Sequence, residues 1–427
     1  MSAWLALLAA LAQDPAPQPV PQPAPEAAPP AQAEAEGYCT PRRLALVLEE
    51  LATKHPDLVR VESLGRSASG LELPLVTLAR LEGDAPGSRP AVLLVAALGR
   101  EDLFGTELSL SLVRQIVADA RRDGPVRELL GRVVVHVVPA LNPDLRSQAI
   151  AALDADTLSL APRRVDLDCN FPAGWDPLAE AGAGPYPLSE PESRALAEFL
   201  VARPNVSACL VLARQVPERP MASSWPDADV RVQGELCDAL GARGLEGIER
   251  APGSFLRFAY GERGAFVATL PCPFESGGPL ALPRVAEIPR LARSVLASVL
   301  HVASVLPRVE LSAPAVAALA PSQWSVDLEL ANDGSLPTAS VRARELGVLG
   351  GPELLVSGAR VVAAASIVDG ESRSLAARGA RVTLPELSGG ERLRLRLFLS
   401  AEPAAEVRVE VRSTRAGSAR ADAKLEL

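Results

Sequence analysis

Lysine is almost missing from this chain. Among 427 residues only Lys54 and Lys424 are lysines, and arginine carries the rest of the positive charge. Net charge is −9 and no basic cluster stands out, which excludes nucleic acid as the main partner. Histidine is as scarce: His55, His136 and His301 are the whole supply, and none begins a His-x-x-Glu spacing. The five cysteines (Cys39, Cys169, Cys209, Cys237 and Cys272) include no C-x-x-C pair. Their odd number leaves at least one thiol without a partner in the chain, and most read as small buried hydrophobes. No internal repeat or coiled-coil heptad is evident. The apolar run Ala3–Ala12 is shorter than the roughly 20 residues of a membrane span and ends in Ala10-Leu11-Ala12, a small-x-small pattern. It reads as an export signal over residues 1–12, giving a periplasmic or extracellular protein with no membrane span.

What is present falls into three textures. Residues 13–37 alternate Pro, Ala, Gln and Glu and cannot bury enough apolar surface to offset chain entropy, so they read as a disordered linker. From Tyr38 to Leu306 apolar strand runs alternate with helical spacing. Thr40-Pro41 opens a helix to about His55. Strands are expected at 59–64, 71–78, 89–97, 133–139, 206–213 and 265–271. Helices are expected at 102–120, from the Ser189 cap to 201 with Glu192 completing a capping box, at 230–242, and at 283–305. A loop is expected from Asn142-Pro143-Asp144 to Arg164. This order predicts an α/β domain over 38–306, with a mixed, mostly parallel central sheet and helices on both faces. Residues 307–427 read instead as an all-β sandwich of immunoglobulin-like size, with strands at 323–331, 340–348, 359–364, 380–384, 393–399 and 405–411.

Four segments carry a resemblance: Leu98-Gly99-Arg100-Glu101, Asn142-Pro143-Asp144, Asp166-Leu167-Asp168-Cys169-Asn170-Phe171 and Ser189-Glu190-Pro191-Glu192. In that order they resemble the His-x-x-Glu, Asn-Pro-Asp-Gly, Asp-Leu-Asn-Arg-Asn-Phe and Ser-Glu-Pro-Glu segments of zinc carboxypeptidases of the carboxypeptidase A type. The resemblance covers about Tyr38 to Leu306. It implies a zinc ion held by two histidines and a glutamate, a second glutamate as general base, and an Asn-Arg pair that clamps the substrate's carboxylate.

Carried over residue by residue, most of that chemistry is replaced. Leu98 stands where the first metal histidine belongs, Ala213, followed by Arg214, where the second belongs, and only Glu101 persists as a ligand. Asp168 and Cys169 replace the Asn-Arg pair, and Thr269 occupies the place of the catalytic glutamate. Glu275 lies beyond Pro271 and Pro273 and points elsewhere. The region of the substrate-covering tyrosine reads Ile248-Glu249-Arg250, and Tyr260 is structural. Arg100 is a vestigial substrate contact. A degenerate member of the family is therefore expected: a non-catalytic binding or scaffold protein without a cofactor, for a protein, peptide or glycan ligand. Two alternatives stay open. One is an active zinc carboxypeptidase with relocated ligands. The other is a repurposed site built from Glu101, Asp166, Asp168 and Cys169.

Overall fold

The computed structural model describes residues 38–98, 103–122, 124–154, 165–178, 182–213, 225–242, 252–271, 285–368 and 370–426. The expected signal and linker, residues 1–37, lie outside them. In the first region α1 (Pro41–Lys54) starts where Thr40 accepts a hydrogen bond from the Arg43 amide. A hairpin of β1 (Val59–Arg66) and β2 (Glu72–Leu78) follows, then β3 (Ala91–Val95) and α2 (Leu103–Arg121). All five residues of β3 are buried, as its unbroken apolar run requires of a strand covered on both faces. After α3 (Pro125–Arg132) come β4 (Val134–Val138), α4 (Pro143–Asp154), α5 (Pro191–Ala202), β5 (Val206–Ala213), α6 (Asp227–Leu240), α7 (Phe255–Gly261), β6 (Phe266–Pro271) and α8 (Ile288–Val305).

The sheet runs β1-β2-β4-β3-β5-β6. β2 is antiparallel to both β1 and β4, whereas β4, β3, β5 and β6 are parallel, so the sheet is mixed as expected. Side chains of α1, α2, α6 and α8 join one apolar cluster, and those of α5 and α7 join the other, one on each face.

Three local expectations fail for identifiable reasons. Asn142-Pro143-Asp144 opens a helix rather than a loop, because the Asn142 side-chain Oδ1 accepts from the Leu145 amide and Pro143 sits at the first helical position. The box at Ser189 does not form. Glu190 occupies the cap position of α5 without a side-chain cap bond, and Glu192 accepts instead from the Ala68 amide at 3.3 Å. Residues 340–348 hold α9 (Val341–Leu346), since Ser340 caps the Ala343 amide and Gly347 ends the helix in the left-handed region.

The remainder of the chain is antiparallel β-structure. One sheet holds β7 (Val309–Leu311), β8 (Ala315–Ala320), β9 (Gln323–Asn332), β11 (Arg360–Val368), β12 (Glu371–Ser374) and β15 (Arg392–Ser400). The other holds β10 (Glu353–Ser357), β13 (Ala377–Arg378), β14 (Arg381–Thr383), β16 (Glu406–Ser413) and β17 (Gly417–Lys424). Alternate residues such as Trp324, Val326 and Leu328 on β9 and Leu393, Leu395 and Leu397 on β15 bury one shared core, the packing of a β-sandwich.

The two regions are joined by buried polar bonds. The Arg415 guanidinium donates to the carbonyls of Pro204, Gly264 and Arg263 at 3.1, 2.6 and 2.7 Å. The buried Asp229 carboxylate accepts from Tyr260 Oη and from the Val341 and Arg342 amides that begin α9. Tyr260 thus has the structural role expected of it.

Candidate functional site at the carboxyl ends of the parallel strands

In a parallel sheet, ligands are bound beyond the carboxyl ends of the strands. Register places Val95 of β3 beside Val211 of β5, and Val211 beside Thr269 of β6, so these three strands finish close to one level. Leu98, three residues past β3, is 2% exposed and belongs to the apolar cluster that includes Val95, Val211 and Phe171. Ala97 before it takes a left-handed φ of 54°, a backbone position that non-glycine residues seldom occupy. Ala213 is the last residue of β5, paired with Pro271. Thr269 is half-buried on β6. Arg100, Glu101, Arg214, Ile248-Glu249-Arg250, Cys272 and Glu275 lie outside the described residues.

The Asp166–Phe171 segment forms a 3-10 turn over Leu167–Cys169, in which the Asp166 carboxylate caps the Asp168 amide at 3.0 Å. Asn170 is its hub and is fully buried. Its Nδ2 donates to the carbonyls of Ala183 and Tyr186 and to Ser189 Oγ, while its Oδ1 accepts from the Glu190 amide and Ser193 Oγ. Ser189 and Glu190 therefore hold this turn to α5. Gly253 packs from the other side. It has φ +73°, and a Cβ there would lie 2.3 Å from the Cys169 carbonyl oxygen, so no other residue fits without moving the turn.

Asp168, where the resemblance puts the carboxylate-clamping asparagine, is half-buried and accepts from the Phe255 amide, the first of α7, at 2.9 Å. Burial raises its carboxyl to about 7; the Phe255 hydrogen bond opposes this, and the charge of Asp166 adds to it. Cys169 is half-buried, and burial together with Asp166 and Asp168 pushes its thiol up to about 11. A thiol so protonated at neutral pH is a poor nucleophile. The three other described cysteines, Cys39, Cys209 and Cys237, are buried and form no disulfide, as small hydrophobes do.

The other retained motif residues also face inward. Asp144 accepts from Ser67 Oγ at 2.6 Å and the Ser69 amide at 3.0 Å, fixing the β1–β2 turn. The histidines are scattered. His55 ends α1 and accepts from Arg121 Nε. His136, in mid-β4, lies 3.0 Å from Thr77 Oγ1 and edge-on to Phe199, and burial holds its pKa down to about 4. His301 is exposed on α8. Among the described residues, no three His, Cys, Asp or Glu side chains gather closely enough to hold a metal ion.

Residues 45–215 match the family described as zinc carboxypeptidase, and residues 308–424 match a family described as a domain of unknown function. The first of these segments is similar in sequence to carboxypeptidases over a little more than a third of the chain. Mouse (Mus musculus) carboxypeptidase D is 25% identical over 167 residues, 38% of this chain and 11% of that protein. Rat (Rattus norvegicus) carboxypeptidase B is 25% identical over 178 residues, 38% of this chain and 40% of its own length. The chain therefore spans well under two thirds of either relative. The crystal structure of thrombin activatable fibrinolysis inhibitor superposes with a TM-score of 0.50 at 18% identity, covering 65% of this chain and 76% of that one, which supports the fold.

Family zinc would need nitrogen, sulfur or carboxylate donors converging at about 2 Å. The described residues at the two expected histidine places do not fit it, since Leu98 and Ala213 carry only hydrocarbon side chains. The reading from sequence missed two groups that organise this region. Arg146 in α4 makes a buried ion pair with Glu107 of α2, and both bind the Cys39 backbone. A lone arginine within Asn-Pro-Asp-Leu-Arg gave no signal of that partner. Asn170 was legible only as part of a motif, with none of its five bonds implied.

Proposed function

We propose that this chain is a carboxypeptidase-fold protein that does not cleave peptides, and that it serves as a binding or scaffold protein for a peptide, protein or glycan. The observation that carries the reading is Leu98. It sits at the strand end where the family places a metal histidine, and it is packed into the apolar core rather than turned toward a cleft. Asp168 supports the reading, because at the place of the clamping asparagine its carboxyl is engaged by the Phe255 amide and carries no amide N–H to offer a C-terminal carboxylate.

The test is zinc content after incubation with zinc and desalting, together with release of C-terminal residues from mixed peptides. No trimming is expected. About one zinc per chain with trimming would overturn the reading and return the ligand set to other residues. The double substitution Leu98→His and Ala213→His is expected to give at most a zinc-binding protein with negligible trimming, since Thr269, Asp168 and Cys169 still lack the base and clamp chemistry. Appreciable trimming by that variant would show that these three positions are assigned wrongly.

A further inference from the structure

At the opposite end of the central sheet, where β3 and β4 begin, the two regions of the chain border an open cavity of about 430 Å³. Arg89, Arg132, Arg308, Asp333 and Gly417 are among the residues around it. Arg89 is 5% exposed. Its Nη1 donates to the carbonyls of Leu130 and Gly131 at 3.1 and 3.2 Å. Its Nε and Nη2 are shut from solvent and have no hydrogen-bond partner among the described residues.

Those two nitrogens are the edge with which a guanidinium takes both oxygens of a carboxylate or phosphate group. Arg396 uses the same edge in this way, donating to the two carboxylate oxygens of Asp327 at 2.7 Å each. Among the described residues, the two other arginines buried as deeply have their donors engaged: Arg415 on three carbonyls, and Arg146 on Glu107 and the Cys39 carbonyl. A buried cation with an open fork is costly unless an anion meets it. Asp84 borders the same cavity from an exposed loop and makes no ion pair among the described residues, so its charge acts on Arg89 without contact. Arg308 is already paired with Glu310 and Asp333. Arg132 is exposed at the cavity and makes no ion pair among the described residues.

We infer that this cavity is a binding site for a small organic anion bearing a carboxylate or phosphate, with the Arg89 Nε–Nη2 edge as its anchor and Arg132 as a second charge. The volume suits a ligand of sugar-phosphate or dipeptide size. Arg89 Nε and Nη2 are shut from solvent in this structure, so a ligand in the cavity reaches them only after a local shift of the cavity wall. The site is independent of the carboxyl-end region and of whether that region is catalytic.

The full chain is titrated calorimetrically with inorganic phosphate and, separately, with citrate. Saturable binding of at least one is expected. Phosphate alone would identify a phosphate ligand, and citrate alone a carboxylate. Arg89→Gln is expected to weaken that binding at least about tenfold, and Arg132→Gln by a smaller factor. Arg89→Lys, which keeps the charge and the size but loses the fork, is expected to weaken it as well, and decides the matter should Arg89→Gln not fold. Binding of neither anion, or wild-type affinity in the Arg89 variants, would overturn the inference.

Discussion

The two ends of the central sheet differ in what their polar groups have left to offer. At the carboxyl end lie the residues that carry the resemblance, and those among the described residues are largely occupied internally. Asn170 makes five hydrogen bonds, Asp144 holds the β1–β2 turn, and Asp168 meets the first amide of α7. At the amino end no motif marks the sequence, yet Arg89 keeps two adjacent donors without a partner among the described residues. The difference teaches that a retained motif residue and an available functional group are separate things. A side chain can persist because the fold needs its bonds, while binding requires donor or acceptor capacity that the fold has not used.

The largest expected effect is at Asn170. Asn170→Ala removes a buried amide that satisfies three acceptors and two donors joining the turn to α5. Each buried group left unpaired costs about 1–3 kcal/mol, so a loss of roughly 3–5 kcal/mol is expected after partial relaxation. Urea denaturation measures it. A loss under about 1 kcal/mol would mean that the turn is not held by this hub, and the contrast between the two ends would weaken.

Arg415→Met tests the other side of the comparison, a buried amino-end arginine whose nitrogens are all used. Burial lowers its pKa to about 10, leaving it charged at neutral pH. Removal leaves the carbonyls of Pro204 and Arg263 short of a donor, while Ser340 Oγ still donates to Gly264 at 2.7 Å, with an expected cost of about 2–4 kcal/mol. Because these bonds join the two regions, calorimetry is expected to resolve two transitions in the variant where the wild type gives one. An unchanged single transition would assign the coupling to Asp229 and Ser340 instead.

How much was legible follows the same division. The central strands were readable because continuous apolar runs, such as Ala91–Val95, can only be strands covered on both faces. The alternation in Gln323–Asn332 and Arg392–Ser400 likewise gave the sandwich core. The failures were at segment ends, where one cap decides the state: Asn142 made a helix of an expected loop, and Ser340 with Gly347 made a helix of an expected strand. β17 was missed because its residues, Gly417–Lys424, are small or charged, and its inward positions show no apolar pattern. For the site, Leu98, Asp168 and Thr269 were visible as letters that differ from what the resemblance implies. That Asp168 would meet an amide 87 positions away, and that Arg89 would lie buried with an open fork, depends on contacts that sequence spacing does not encode.

The smallest expected effect sharpens the account of Asp168. Its folded pKa of about 7 stands above the ordinary value of 3.8, so between those limits the folded chain holds a proton that the unfolded chain has lost. Stability from this group therefore falls as pH rises from about 4 to about 7, and is level above that. Asp168→Asn keeps an oxygen for the Phe255 amide but cannot ionise, so the pH dependence is expected to flatten in that window. At pH 4 the two proteins should match; at pH 7 the variant should be more stable by roughly 1 kcal/mol, allowing for the half-buried setting. Urea midpoints at pH 4, 5.5 and 7 measure the difference. Parallel curves would mean that Asp168 is ionised in the folded chain throughout. The carboxyl end would then keep a charge free to meet a cation, and the repurposed site of Asp166, Asp168 and Cys169 would gain the capacity that the fold otherwise denies it.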